Sequence, residues 1–289
     1  MIFNREKNVK FVFLLPAVIF VLILVIFPLV YSLRLSFCLA RFGRNPIFIG
    51  LENYIDLLKD YKFWDTLKIT LVFVLLTVSI EFFLGLALAL LFNREIRGRR
   101  YFRALLTLPM FATPVAIGYL GMTIFYEEAG PINNILALIG GPQKVPWLSN
   151  PTLAFASITL LDIWQWTPFC FVILLAGLQA LPEQVYEAAS LDGASGVQSL
   201  RYIILPLLGP VIVIVLLLRT VEAFKVFDIP FSLTGGGPGR ATEFYSLFTY
   251  RTGLKYFNFG YASSLAYILL AIVILIITLF LKRVREVFE

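Results

Sequence analysis

Glu187 to Pro206 reads EAASLDGASGVQSLRYIILP, a moderately polar island between two long apolar runs. The spacing predicts two short helices joined by a turn. Pro182 fits the first helical position, where a missing N–H costs nothing. Glu183 and Glu187 then fall early in that helix and complement its positive end. Gly193 lets the backbone turn through positive φ. Ser195 and Gln198 have capping-box spacing, so a second helix can begin near Gly196 and run to Pro206. Ala188, Ala189, Gly193 and Ala194 give this protrusion small side chains, against which another backbone can pack closely.

Outward from this island the chain is apolar. Of 289 residues, 60% are hydrophobic and 15% charged, against about 45–50% and about 25% in soluble domains. That composition places the chain in a lipid membrane. A spanning helix needs about 20 apolar residues, and six are expected, near 11–33, 67–92, 104–126, 152–178, 205–227 and 259–281. The first is too long for a signal-peptide core and carries Pro16 and Pro28. The third is expected to bend at Pro109 and Pro114. Between the first two spans, 34–66 reads as a polar loop whose second half, Leu51 to Trp64, has the spacing of a helix at the membrane surface. Residues 228–258 read as a loop with the glycine turn LTGGGPG. The chain therefore divides into 1–66, a transmembrane domain 67–281 containing the 182–206 loop, and a tail 282–289.

A net charge of +6 reads as topology rather than nucleic-acid binding, because the basic residues flank apolar runs. Inner segments would hold three, five, one and three basic residues, including Arg5, Lys7 and Lys10 at the start and Lys282, Arg283 and Arg285 at the end. The contrast between Arg94–Arg103 and the loop 127–152, where Lys144 is the lone basic residue, puts both termini and the Glu187 loop in the cytoplasm.

The pattern E-A-A, three residues, G, nine residues, I, one residue, L-P, met by Glu187, Ala188, Ala189, Gly193, Ile203, Leu205 and Pro206, resembles the loop signature of ABC importer permeases. GLENYIDLLKDYKFW, the GGP turn and Asp162–Phe169 are similar to segments of the carbohydrate group, such as maltose, glycerol-phosphate and polyol permeases. The resemblance implies an all-α type I importer permease fold of six transmembrane helices with a cytoplasmic coupling helix. It further implies a second permease subunit, usually a different chain, two ATPase subunits and an external substrate-binding protein. Glu187 would make the polar contact to the ATPase, with Ala188, Ala189, Asp192 and Gly193 beside it. Two departures stand out: Lys68-Ile69-Thr70, where an Asn often precedes the Thr, and Leu200, where an aromatic residue is common.

No phosphate loop G-x-x-x-x-G-K-[ST] occurs, so ATP and magnesium belong to a partner chain and this chain binds no cofactor. Histidine is absent, which removes His-based catalysis and most zinc sites. No catalytic or metal-binding set is recognisable. Cys38 and Cys170 make no disulfide framework, and Cys170, inside an apolar run, reads as a small hydrophobe.

Charges within spans are costly, about 2.5–3.5 kcal/mol each at mid-membrane, and so mark function or pairing. Arg219, Glu222, Lys225 and Asp228 recur every three residues, as helical neighbours able to pair. By helical rise Arg219 stands roughly 21 Å and Glu222 about 25 Å above the inner end of the fifth span, in its outer half. Glu81 and Asp162 join them as candidates for the substrate path. Trp164, Gln165 and Trp166 add flat apolar faces with a donor and acceptors, a mixture suited to a sugar. Helix–helix packing and charge pairing are the structural alternatives for these residues. A self-sufficient ion-coupled secondary transporter, using Glu81, Asp162 or Glu222, is the functional one.

Overall fold

The computed structural model describes residues 13–94 and 97–288, without the side chains of 183, 188–190 and 283–288. Arg5, Lys7 and Lys10 thus lie outside the described residues, as do the side chains of Ala188 and Ala189. Five described helical segments are long and apolar enough to cross a membrane: Phe13–Ser36, Tyr61–Phe92, Pro151–Gln179, Gly196–Leu233 and Phe259–Lys282. A bent pair, Arg99–Phe111 with Pro114–Ile124, supplies the sixth when taken as one span.

Packing divides the chain into two compact units. In the first, 13–63 with 249–272, α1 (Phe13–Ser36) is followed by a hairpin of β1 (Cys38–Leu39) and β2 (Ile47–Phe48), paired antiparallel. α2 (Glu52–Lys59) follows. The Asn53 amide ties it to the end of α1 by donating to Ser36 O and Cys38 O at 2.9 and 3.0 Å. The expected polar loop 34–66 is therefore a folded cap. α3 (Tyr61–Phe92) starts six residues before the expected 67, because Asp60 leaves the helical region and its Oδ1 accepts the Lys62 N–H at 2.9 Å. From the other end of the chain, the Tyr261 hydroxyl donates to Asp60 Oδ2 at 2.9 Å.

The second unit, 64–248 with 273–288, holds the rest of α3, then α4 (Arg99–Thr107), a 3₁₀ turn Leu108–Phe111, and α5 (Pro114–Ile124). α6 (Pro131–Leu138), α7 (Pro151–Gln179), α8 (Glu183–Leu191) and α9 (Gly196–Ser199) follow. α10 (Leu205–Phe224), α11 (Asp228–Leu233) and α12 (Tyr245–Tyr250) precede the last helix, α13 (Phe259–Phe288), whose residues up to 272 belong to the first unit. The core joins α3, α7 and α10 through Leu86, Ala89, Phe92, Phe171, Leu174, Leu178, Leu208 and Val215. Gly85 lets α3 approach α7: a Cβ there would stand 2.6 Å from Cys170 Cβ and 2.9 Å from Phe171 N. Cys170 is buried in this seam, as a small hydrophobe.

The third span is broken rather than bent. Its two halves meet at 98°, and α4 already starts at Arg99, not at 104. Ala112 and Thr113 are extended, with ψ 141° and 137°. A residue before proline avoids the helical region, so Pro114 ends one helix and opens the next. Arg103, one turn into α4, donates to the last carbonyl of α3, Phe92 O, at 2.8 Å, a cation set against a negative helix end.

The fifth span also starts earlier than 205. Gly196 to Phe224 is helical throughout, with one π-helical turn, Leu200–Ile204, ending in a bond from Leu205 N–H to Leu200 O. The next residue is Pro206, whose ring crowds the carbonyl four residues back. A widened turn relieves that crowding. α1 repeats the device: a π turn Leu22–Ile26 closes with Phe27 N–H on Leu22 O, just before Pro28.

Residues 228–248 are not a solvated loop. α11 packs on α5, with Ile229, Pro230, Ser232 and Leu233 buried. In the glycine turn Thr234 and Thr242 hydroxyls pair at 2.7 Å, and the Gly236 N–H donates to Thr234 Oγ1. Phe244 packs between Phe73 and Phe155, with ring centroids 4.8 and 6.1 Å away. The Tyr245 N–H donates to Thr70 Oγ1 at 2.9 Å.

Candidate functional site

Three helices of the second unit each contribute one charge to a buried cluster. Glu81 comes from α3, Asp162 from α7 and Arg219 from α10, and they are 0%, 4% and 1% exposed. Arg219 Nε and Nη2 donate to the two oxygens of Glu81 at 2.6 and 2.9 Å. Nη2 also donates to Asp162 Oδ2 at 3.0 Å. The bidentate fork is the strongest geometry an arginine has for a carboxylate. Trp166, one turn beyond Asp162 on α7, lays its ring 4.9 Å from the guanidinium carbon, within cation–π range.

Above this cluster lies a cavity of about 100 Å³, lined by Asp162, Gln165, Trp166, Arg219, Glu222, Lys225 and Asp228 among polar groups and by Pro114, Val226, Phe227 and Ile229. Gln165, 1% exposed, donates its amide to Ala112 O at 3.0 Å. That carbonyl is freed by the break in the third span. Gln165 Oε1 has no partner among the described residues.

Of the sequence-predicted path residues, Asp162, Gln165, Trp166, Arg219 and Glu222 thus meet at one cavity, and Glu81 stands behind it through Arg219. Trp164 does not join them. It is 48% exposed and lines a separate apolar groove with Leu105, Leu108, Ile163 and Phe171. The expected pairing along 219, 222, 225 and 228 holds for one pair: Lys225 Nζ meets Glu222 Oε1 at 2.7 Å, both side chains half exposed. Arg219 turns away to Glu81 and Asp162. Pro114, Val226, Phe227 and Ile229 line the cavity but are not among the predicted path residues. Pro114 was legible as a helix break, while the other three carry no signal beyond being apolar.

The second candidate region is the 182–206 loop. α8 begins at Glu183, which puts Pro182 just outside the helix rather than at its first position. Gly193 has φ +70°. Ser195 Oγ accepts the Gln198 N–H at 3.3 Å, and Gln198 Oε1 accepts the Ser195 N–H at 2.8 Å, completing the capping box that opens α9. Glu187 and Asp192 are exposed. Beside α9 lies a cleft of about 590 Å³, between the end of α3 at Asn93 and Arg94 and the residues Tyr186, Ser195 and Leu200. Burial pushes the Tyr186 hydroxyl above its ordinary value, against a hydrogen bond with Asn93.

On the loop 127–150, Glu127 accepts the Leu148 and Ser149 N–H groups at 2.8 and 2.7 Å and the Ser149 hydroxyl at 2.9 Å. Asn133 accepts from Trp147 Nε1 at 2.8 Å. Partial burial opposes the charge on Glu127, but the three donors outweigh it and hold its carboxyl below the usual range.

A polytopic helical protein with a polar cavity among its spans, broken helices beside that cavity and a helix–turn–helix between two spans is a membrane transport subunit. The chain belongs to the family of binding-protein-dependent transport system inner membrane components, which it matches over residues 81–288. It is 38% identical over 257 residues to the trehalose/maltose transport system permease protein MalF of Thermococcus litoralis, covering 89% of this chain and 85% of that protein. It is 36% identical over 284 residues to the sulfoquinovosyl glycerol transport system permease protein SmoG of Agrobacterium fabrum, covering 97% and 91%. Its fold is that of a chain in the bacterial alginate ABC transporter solved with an alginate pentasaccharide-bound periplasmic protein, with TM-score 0.86, 24% identity and coverage of 98% and 96%. The chain is an integral inner-membrane permease subunit, a transport component rather than an enzyme. Nothing in these relationships supports the ion-coupled alternative.

Proposed function

We propose that this chain forms the membrane pathway of an ATP-driven importer for a sugar, oligosaccharide or polyol handed over by an external binding protein. It works beside a second permease subunit, and two separate ATPase chains bind ATP and magnesium. Both termini and the 182–206 loop face the cytoplasm. Closure of the ATPases moves α8, with Glu187 and Asp192 making the polar contact and Ala188, Ala189 and Gly193 allowing close seating. The spans then swing the cavity between the two sides of the membrane.

The observation that carries the carbohydrate reading is the cavity above Arg219. It offers the indole ring of Trp166 and an unpartnered acceptor, Gln165 Oε1, within a shell of charged groups. Sugars present C–H faces to aromatic rings and O–H donors to acceptors. The test is uptake of trehalose and maltose by vesicles containing the full importer. Trp166→Ala is expected to lower uptake at least tenfold with the complex still assembled, and Trp166→Phe to retain most of it. Unchanged uptake in Trp166→Ala would assign the ring to packing alone. Gradient-driven uptake by this chain without ATPase would overturn the importer reading.

A further inference from the structure

The charges around this cavity do not balance, and the excess has one sign. Its two cations are already engaged. Arg219 is held by Glu81 and Asp162 through three hydrogen bonds, and Lys225 pairs with Glu222 at 2.7 Å. Asp228, in the first turn of α11, also lines the cavity and makes no ion pair among the described residues. Gln165 is 1% exposed, and its Oε1 is an acceptor with no donor. Counting Glu81 behind the wall, four carboxylates face two cations. Gln165 Oε1 and the Asp228 carboxylate thus stand open as acceptors, in a setting of surplus negative charge.

Resting on the carbohydrate reading above, we propose that this cavity selects uncharged sugars and rejects acidic ones, with Asp228 and Gln165 as its specificity-determining residues. A neutral sugar brings only hydroxyls, each able to donate to Gln165 Oε1 or to the Asp228 carboxylate. A uronate, sulfonate or phosphate sugar brings an anion, which donates nothing. It would also meet Asp228 across a partly desolvated gap, where like charges repel strongly. Arg219 and Lys225 keep N–H groups outside these bonds, but the charge of each is already matched by a carboxylate.

The experiment uses the permease within its purified complex in nanodiscs, without the external binding protein, so that no earlier filter sets the result. Saturation-transfer NMR compares maltose with the disaccharide of mannuronate. Maltose is expected to bind at least about tenfold more tightly than the uronate, the scale of one unscreened like-charge contact. Asp228→Asn should narrow that ratio at least threefold, whereas Asp228→Glu should keep it. Equal or tighter binding of the uronate, or a ratio unmoved in Asp228→Asn, overturns the selection while leaving the carbohydrate reading in place. Binding of neither sugar, with the complex intact and Trp166→Ala giving the same silence, overturns the carbohydrate reading and the selection with it.

Discussion

Removing Arg219 is the most severe single perturbation this structure offers. In Arg219→Met the volume stays close to that of the native side chain, but the carboxylates of Glu81 and Asp162, 0% and 4% exposed, lose their counter-ion together. Breaking a buried ion pair from one side costs about 3–5 kcal/mol, because the remaining charge is stranded. For a chain of this size that corresponds to a fall in Tm of roughly 5–10 °C, read by intrinsic fluorescence of the protein in detergent. The cost should be graded by the hydrogen bonds each carboxylate takes. Glu81 accepts two of the three and Asp162 one, so Glu81→Gln should destabilise more than Asp162→Asn. Replacing all three together, as Glu81→Leu, Asp162→Leu and Arg219→Met, removes the desolvation cost along with the attraction. That variant should recover to within about 2 kcal/mol of the native protein, yet import no sugar. An Arg219→Met protein melting with the wild type would refute the reasoning. So would a triple variant less stable than Arg219→Met alone.

Glu187→Ala with Gly193→Pro should uncouple ATP hydrolysis from uptake while leaving the spans inserted, because proline cannot adopt φ +70°; normal uptake would count against a docking role. Gly118→Ala would drive a methyl into Ser232 Oγ, with Ser232 Cβ only 3.0 Å away, and should destabilise by about 1–3 kcal/mol. Adding Ser232→Gly should restore most of that loss, and a thermal-melt double-mutant cycle gives the answer. Glu127 holds its loop through a carboxyl whose folded pKa lies below the ordinary 4.5. Its stabilisation is thus complete above that value and lost as pH falls through the lower one. Exchange protection of the Leu148 and Ser149 amides should fade in acid, and Glu127→Gln should abolish the dependence.

The 182–206 loop was legible in advance because its determinants are local: one glycine with φ +70°, and one Ser–Gln capping box three residues long. The charged cluster was half legible. Each member was conspicuous as a charge in an apolar run, but a period of three residues pointed to pairing along one helix. Arg219 instead pairs with groups 138 and 57 residues away, and no local pattern encodes that. Trp164 could have been set aside from the sequence itself. Residues two apart on a helix point nearly opposite ways, while 162, 165 and 166 share one side. The β1–β2 hairpin is two residues per strand, too short to leave an alternation. Pro109 and Pro114 announced an interruption of the third span, but the 98° angle follows from where α5 finds its partner, α11.

Interrupted helices and the cavity have a common cause. In a hydrocarbon medium a broken helix leaves backbone groups that only protein or cavity water can satisfy. The two breaks that face the cavity, at 112–113 and 225–227, are met from within the chain. Gln165 donates to Ala112 O, while the Lys225 and Val226 N–H groups fold back onto Glu222 O and Ala223 O at 3.0 and 3.2 Å. Pro114 and Asp228, the residues just past each break, line the same cavity as Trp166. Two continuous helices would run their side chains through this space and fill it. The breaks open it, and the Glu81–Arg219–Asp162 cluster provides a polar floor that an all-apolar core could not. The sequence places its prolines, the buried glutamine of α7 and its buried arginine together because each removes a reason for the space to close.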